Sequence, residues 1–334
     1  MLAKPDSAES IYQFLTERER YEIIIIILLY KIKCLNIWGK SKMIISLENG
    51  ISSAKIDTLG AQLMSFADSM GLEYIWQGDK EYWGSRAPIL FPIVGALRNK
   101  TTYVDGKAYE MERHGIARRM EFDVSEKRSD RAVFTLRAND ESRSHYPFDF
   151  ELIVEFELRS NSLIQSFKVK NCGNSDMPYC LGGHPAINVP LLSDEKFEDY
   201  VIKFSKPESC ECPSIDMENG LVITQKPHMS FNNDDTIKLE HSLFYNDAIV
   251  IQNVKSSSVE LYSVISGQGV KFDFSGFKHF AMWSAVNDAP FVCLEPWTST
   301  ATRDIENDNL VDKQDIIMLK PGETREHSFS ITQL

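Results

Sequence analysis

The sequence predicts an all-β protein, one large antiparallel sandwich, and three observations carry that reading. Apolar and polar residues alternate with a period of two in Glu121-Phe122-Asp123-Val124, in Ala132-Val133-Phe134-Thr135-Leu136-Arg137 and from Phe148 to Leu158, as they do in half-buried antiparallel strands. Turn formers separate such runs at Val104-Asp105-Gly106-Lys107, Arg159-Ser160-Asn161-Ser162, Asn171-Cys172-Gly173-Asn174 and Lys320-Pro321-Gly322-Glu323, supplying residues that tolerate positive φ or fix it. Helical spacing is scarce, and no long Gly, Ser or Pro linker divides the chain into tethered domains.

Residues 1–42 read differently from the rest. The apolar run from Ile23 to Tyr30 covers eight residues, far short of the roughly 20 that a membrane-spanning helix needs. Glu17, Glu19 and Glu22 precede it where a secretion signal carries basic residues, and no small-residue cleavage site follows. At Met43-Ile44-Ile45-Ser46-Leu47-Glu48 the chain opens like the first strand of a globular domain. Seven Lys/Arg and five Asp/Glu fall before Met43, which leaves −14 for the remainder. We read 1–42 as an N-terminal leader or extension, with Met43 a candidate start, and 43–334 as one β-sandwich domain. Within it, Asp79-Lys80-Glu81-Tyr82-Trp83 predicts a short helix with Asp79 as N-cap and an architectural role.

Composition narrows the function. The 334 residues carry 36 Lys/Arg against 48 Asp/Glu, a net charge of −12, which repels a phosphate backbone and argues against nucleic acid as a partner. Nothing in the sequence calls for a membrane, and nothing in it bears on oligomeric state. Six cysteines are too few for a disulfide scaffold, and Cys210 and Cys212 form a lone C-x-C without a second pair. They are expected to be reduced thiols in a cytoplasmic protein.

No dinucleotide fingerprint, phosphate loop, nucleophile elbow or zinc-protease motif is present; Gly267-Gln268-Gly269 lacks the third glycine and the helix. Three polar residues in apolar or tight-turn settings stand out instead. Glu295 sits in Phe291-Val292-Cys293-Leu294-Glu295-Pro296-Trp297, where a buried carboxylate is costly unless it is paired or faces a cavity. Burial raises its pKa, which suits a general base. His184 follows Gly182-Gly183, whose missing side chains permit close approach, and precedes Pro185. His114 lies in Arg113-His114-Gly115. A salt bridge at a strand end and a hairpin-closing histidine are the structural alternatives for Glu295 and His114. His145, His228, His241, His279 and His327 have unremarkable neighbours and stay unassigned. Two histidines and a carboxylate can also bind metal, but cupin-like H-x-H spacing is missing and the three lie far apart, so no metal is expected.

Together, Phe91-Pro92-Ile93-Val94-Gly95, Arg113-His114-Gly115-Ile116-Ala117-Arg118, Gly182-Gly183-His184-Pro185-Ala186, Asn246-Asp247-Ala248 and Cys293-Leu294-Glu295-Pro296-Trp297 resemble the aldose 1-epimerase (galactose mutarotase) family, most nearly its LacX-like branch. The resemblance covers about residues 43–334. It implies a galactose mutarotase-like β-supersandwich that binds a free hexose and interconverts its α and β anomers. That reaction takes a proton from the anomeric hydroxyl and gives one to the ring oxygen, so the ring opens, the aldehyde rotates and the ring recloses. By resemblance Glu295 is the base, His184 the acid and His114 a hydrogen-bonding stabiliser, the first two meeting across a sugar-sized hollow. Asp247 binds ring hydroxyls, and Trp283 and Trp297 are candidates to stack on the sugar. Such a proton shuttle requires no nucleotide, metal or organic cofactor.

One departure concerns arginine. Many relatives carry Arg immediately after the glycine corresponding to Gly95, where this chain has Ala96; Arg98 follows two residues on, and an even shift along a strand keeps the same face. Arg98, Arg113, Arg118 and Arg119 cluster in an otherwise acidic chain, and guanidinium groups suit phosphate. Arg98 and Arg118 are therefore taken as substrate-binding, and a hexose-6-phosphate 1-epimerase is the alternative substrate reading, the structural one being solvated strand-edge arginines. A non-catalytic carbohydrate-binding sandwich, and a glycoside-active enzyme with Asp247 as second carboxylate, are the other classes left open.

Overall fold

The computed structural model describes residues 43–334, and the leader reading of residues 1–42 lies outside the described residues. The expected all-β antiparallel architecture is the one that forms. A nine-stranded sheet runs in the order Val222–Lys238, Tyr200–Ile215, Ser258–Ser263, Gly269–Asp273, Thr324–Gln333, Ser162–Asn171, Phe150–Arg159, Arg131–Arg137 and Asp123–Lys127. A six-stranded sheet holds Ile249–Gln252, His279–Trp283, Phe291–Trp297, Gly182–Gly183 and Ile89–Leu90 in that order, with Ala186–Asn188 also paired to Phe291–Trp297. A three-stranded meander, Ile44–Glu48, Ser52–Asp57 and Gln62–Asp68, and two hairpin-sized sheets complete the described residues.

Alternation becomes burial where it was legible. Phe150–Arg159 alternates buried and half-buried positions along its length and turns through Ser160 and Asn161 into Ser162–Asn171, pairing Val154 with Phe167 and Leu158 with Leu163. The buried faces of the two large sheets meet in a Phe-rich core, in which Phe272 lies 5.1 Å from Phe329 and Phe274 stacks 4.4 Å from Phe280. Fully burying each such side chain contributes about 1.5–3 kcal/mol.

Phe291–Trp297 is the innermost strand, buried at every position. Its even-numbered residues Val292 and Leu294 join the main core, so the odd-numbered Cys293, Glu295 and Trp297 point to the opposite face. The long pair Tyr200–Ile215 and Val222–Lys238 is irregular, with a register shift at Glu208. There the buried Glu208 carboxylate accepts backbone N–H bonds from Lys255 and Ser256. The turn joining these strands carries Gly220 to the same side as Glu295, where Ile215, Gly220 and Val222 wall a cavity.

Two local expectations change. Asp79 does cap a turn, its Oδ1 accepting the Glu81 N–H at 3.0 Å and its carbonyl the Trp83 N–H at 2.8 Å, but no helix propagates. Trp83 leaves the turn to join an aromatic cluster with Trp76, Trp283 and Phe291. Arg98 is not on a strand: it opens a 3-10 turn, Arg98–Lys100, in which Asn99 has φ 51°. Among the described residues no helix is long and apolar enough to cross a membrane, and the cysteines are free thiols.

Candidate active site

The sheet register itself brings the site together. Gly182 pairs with Trp297 and Ala186 with Cys293, so His184, midway between them, falls opposite Glu295. On the other flank Ala281 pairs with Glu295 and Trp283 with Cys293. Directly opposed residues in antiparallel strands project to one face, which gathers His184, Glu295, Trp283 and Trp297 on one wall. The small residues Gly182, Ala186 and Ala281 leave room between them. Gly182 and Gly183 serve close approach to side chains rather than to backbone: a Cβ on Gly182 would lie 2.7 Å from the Trp297 ring, and one on Gly183 would lie 2.5 Å from Phe329.

His184 Nε2 lies 3.2 Å from Glu295 Oε2, and both side chains are almost fully buried. They stand on the same wall in direct contact, not across the hollow from one another as the resemblance suggested. The carboxyl of Glu295 is pushed well above the usual carboxylate range, first by burial and then by Asp247; the nearby Trp297 indole and Arg113 act in the opposite sense. Burial, then the charges of Arg118 and Arg113, hold the His184 imidazole down to about 3. Both effects disfavour the charged forms and leave a neutral pair.

His114 occupies a left-handed turn at φ 70°. Its Nδ1 accepts the Gly95 N–H at 3.2 Å, which leaves Nε2 to carry the proton of the neutral ring. Burial above all, followed by His184, Arg118 and Arg113, keeps that ring neutral. The two imidazoles meet edge to face at 5.3 Å.

These groups line one open-mouthed cavity, concave as small-molecule sites are. Of the residues expected to bind substrate, Asp247, Arg118, Trp283 and Trp297 line it with His114, His184 and Glu295. Asp247 Oδ1 accepts the Ala248 N–H at 2.7 Å, and its Oδ2 lies 3.6 Å from Arg113. Arg98 is the exception. Its Nε sits 3.1 and 3.2 Å from the two Asp308 oxygens, and one terminal nitrogen donates to the carbonyls of Arg303 and Asp304. The parity argument that aimed Arg98 at a sugar fails because residues 92–97 form no strand and Arg98 itself opens a 3-10 turn, and the guanidinium is used in holding the loop around Asp308.

Sequence reasoning missed Trp83. Its ring stacks on His184 at 4.9 Å and 26° and packs edge-on against Trp283 at 5.5 Å, while its carbonyl accepts the Trp76 indole N–H at 2.8 Å. The architectural role expected for this segment thus extends into the site. Nothing local to Trp83 announces this, since its partner lies some hundred residues on. Arg113, noted only within the arginine cluster, also lines the cavity.

Three buried polar atoms here have no hydrogen-bond partner: His184 Nδ1, Glu295 Oε2 and Trp297 Nε1. His184, Cys293 and Glu295 also bring potential metal-ligating atoms within 4.8 Å of one another. The guanidinium groups of Arg113 and Arg118 oppose a cation at that point, and burial holds the Cys293 thiol protonated.

A family described as aldose 1-epimerase matches residues 43–332. A curated relative, the plasmid-borne protein LacX of Lactococcus lactis subsp. lactis, is 39% identical over 298 residues, covering 87% of this chain and all of the relative. Among solved structures, a galactose mutarotase related enzyme from Lactobacillus acidophilus superposes with a TM-score of 0.80 at 30% identity, over 87% of this chain and 97% of its own. A galactose mutarotase-like protein from Lactobacillus casei gives 0.82 at 28% identity, over 87% and 100%.

Proposed function

The chain belongs to the aldose 1-epimerase family, and from that premise we propose that it is a mutarotase, interconverting the α and β anomers of an aldose by acid–base ring opening and closure. The observation that carries the reading is the contact of His184 Nε2 and Glu295 Oε2 at 3.2 Å in the wall of an open cavity.

The pair holds one proton. Burial favours carboxylic acid beside neutral imidazole, and moving one proton between these groups gives carboxylate beside imidazolium with no change in net charge; their nearest atoms lie 3.2 Å apart without a hydrogen bond between them. In the second form Glu295 takes the anomeric proton while His184 gives one to the ring oxygen. Those two oxygens share one carbon, so acid and base belong side by side, and their adjacency on one wall suits the reaction better than opposition does. After the aldehyde rotates, the roles reverse on closure. His114, neutral and with Nε2–H free to donate, supports the negative charge developing on an oxygen of the opening ring. Asp247 is the acceptor for ring hydroxyls, and Trp283 and Trp297 offer apolar faces to the sugar.

Polarimetry of freshly dissolved α-D-glucose and α-D-galactose, with and without protein, tests the proposal: acceleration over buffer supports it. Binding without acceleration indicates a carbohydrate-binding sandwich. Release of chromophore from aryl glycosides would indicate glycoside hydrolysis instead.

A further inference from the structure

The four clustered arginines separate by environment. Arg98 is bound by Asp308, and Arg119 is exposed and does not line the cavity. Arg113 lines the cavity but is about half exposed and lies beside Asp247 at 3.6 Å. Arg118 lines the cavity, is partly buried, and among the described residues its guanidinium forms neither an ion pair nor a hydrogen bond.

The nitrogens of Arg118 are not sealed from solvent: up to five donors open onto the cavity with no protein acceptor, available to a ligand. The acidic groups around it do not claim them. Asp247 is shared with Arg113, and burial holds the Glu295 carboxyl toward its neutral form. With both imidazoles also held neutral, the wall carries an excess of positive charge in a chain whose net charge is −12.

We propose that the aldose this site takes carries an anionic group, phosphate or carboxylate, away from its anomeric carbon, and that Arg118 recognises it. The inference rests on the mutarotase reading above. It goes further by naming the substrate class and the residue that selects it. Mutarotation requires a free anomeric hydroxyl, so the anion is carried elsewhere on the sugar, as in a 6-phosphate or a uronic acid. Either anion accepts two parallel N–H bonds from one guanidinium, a geometry that a lysine ammonium does not reproduce. Arg113, at the more exposed edge, adds charge without being the selecting group.

The test is calorimetric titration of the full chain, wild type, Arg118→Gln and Arg118→Lys, with neutral D-glucose and D-galactose, their 6-phosphates, and the matching uronic acids. Epimerisation leaves each anomer pool at equilibrium, so the wild-type protein is usable directly. The anionic sugars are expected to bind at least about tenfold more tightly than the neutral ones. Arg118→Gln should abolish that ratio, and Arg118→Lys should keep only part of it. Preference for 6-phosphate over uronate identifies phosphate as the anion, and the reverse identifies carboxylate. Equal affinity for neutral and anionic sugars, an equal loss for every sugar in Arg118→Gln, or no binding of any anionic sugar would overturn the proposal. Tight binding of an anionic sugar without anomer exchange would overturn the mutarotase reading while leaving the role of Arg118 in place.

Discussion

His184 stands directly across the sheet from Glu295, held there by the pairings Gly182 with Trp297 and Ala186 with Cys293, and its Nε2 reaches the Glu295 carboxylate oxygen at 3.2 Å. The proposed acid and base are thus neighbours: Glu295 lies on a strand and His184 in the two-residue break between Gly182–Gly183 and Ala186–Asn188, whose pairings fix its position. Each partner's protonation is governed by the same burial.

The stack of Trp83 on His184 is expected to fix the plane of the imidazole. Trp83→Ala should lower kcat/KM for anomer exchange about two- to twelvefold, the equivalent of the roughly 0.5–1.5 kcal/mol that an aromatic pair contributes. Trp83→Phe should recover most of the loss. Anomer-exchange kinetics of both variants, with circular dichroism to confirm folding, check this.

Gly95 has φ 67°, and a Cβ there would lie 2.4 Å from the Ala301 Cβ. Gly95→Ala combines left-handed strain with overpacking and should cost about 2–4 kcal/mol of stability, measured by urea unfolding. Activity should fall as well, because the same residue's N–H sets the His114 tautomer.

Acid should destabilise the fold through histidines held neutral. Burial, and secondarily Arg325, holds His327 down to about 4 from its ordinary 6.5. Between those values the unfolded chain binds a proton that the folded chain refuses, so stability falls as pH drops through that window. His184, held down to about 3, extends the loss further into acid. His327→Gln should flatten the dependence of the unfolding free energy on pH between about 6.5 and 4 by up to one proton's worth. An unchanged slope in urea titrations across that range would refute the assignment.

The fold class was readable because alternation and turn residues are local properties. The alternating run from Phe148 to Leu158 forms the strand Phe150–Arg159, and the turn expected at Arg159-Ser160-Asn161-Ser162 reverses the chain there. Glu295 and His184 were legible for a different reason, as polar groups among residues that punish polarity. What escaped was set by distant partners. Trp83 acquires its role from a histidine brought beside it by the six-stranded sheet. Arg98 was misplaced because parity holds only along a strand, and residues 92–97 form none. The contact between Glu295 and His184 was hidden as well, since register is a property of two strands and neither states it alone.

The account depends most on the shared proton of Glu295 and His184, and two-dimensional exchange NMR of an aldose at anomeric equilibrium reads it directly. Wild-type protein should give α-to-β exchange cross-peaks well above the buffer rate. Glu295→Gln and His184→Asn, folded by circular dichroism, should each lose about 10²–10⁴-fold of that acceleration. Exchange at near wild-type rates in both variants, or none above buffer in the wild type with neutral and anionic aldoses alike, would contradict it.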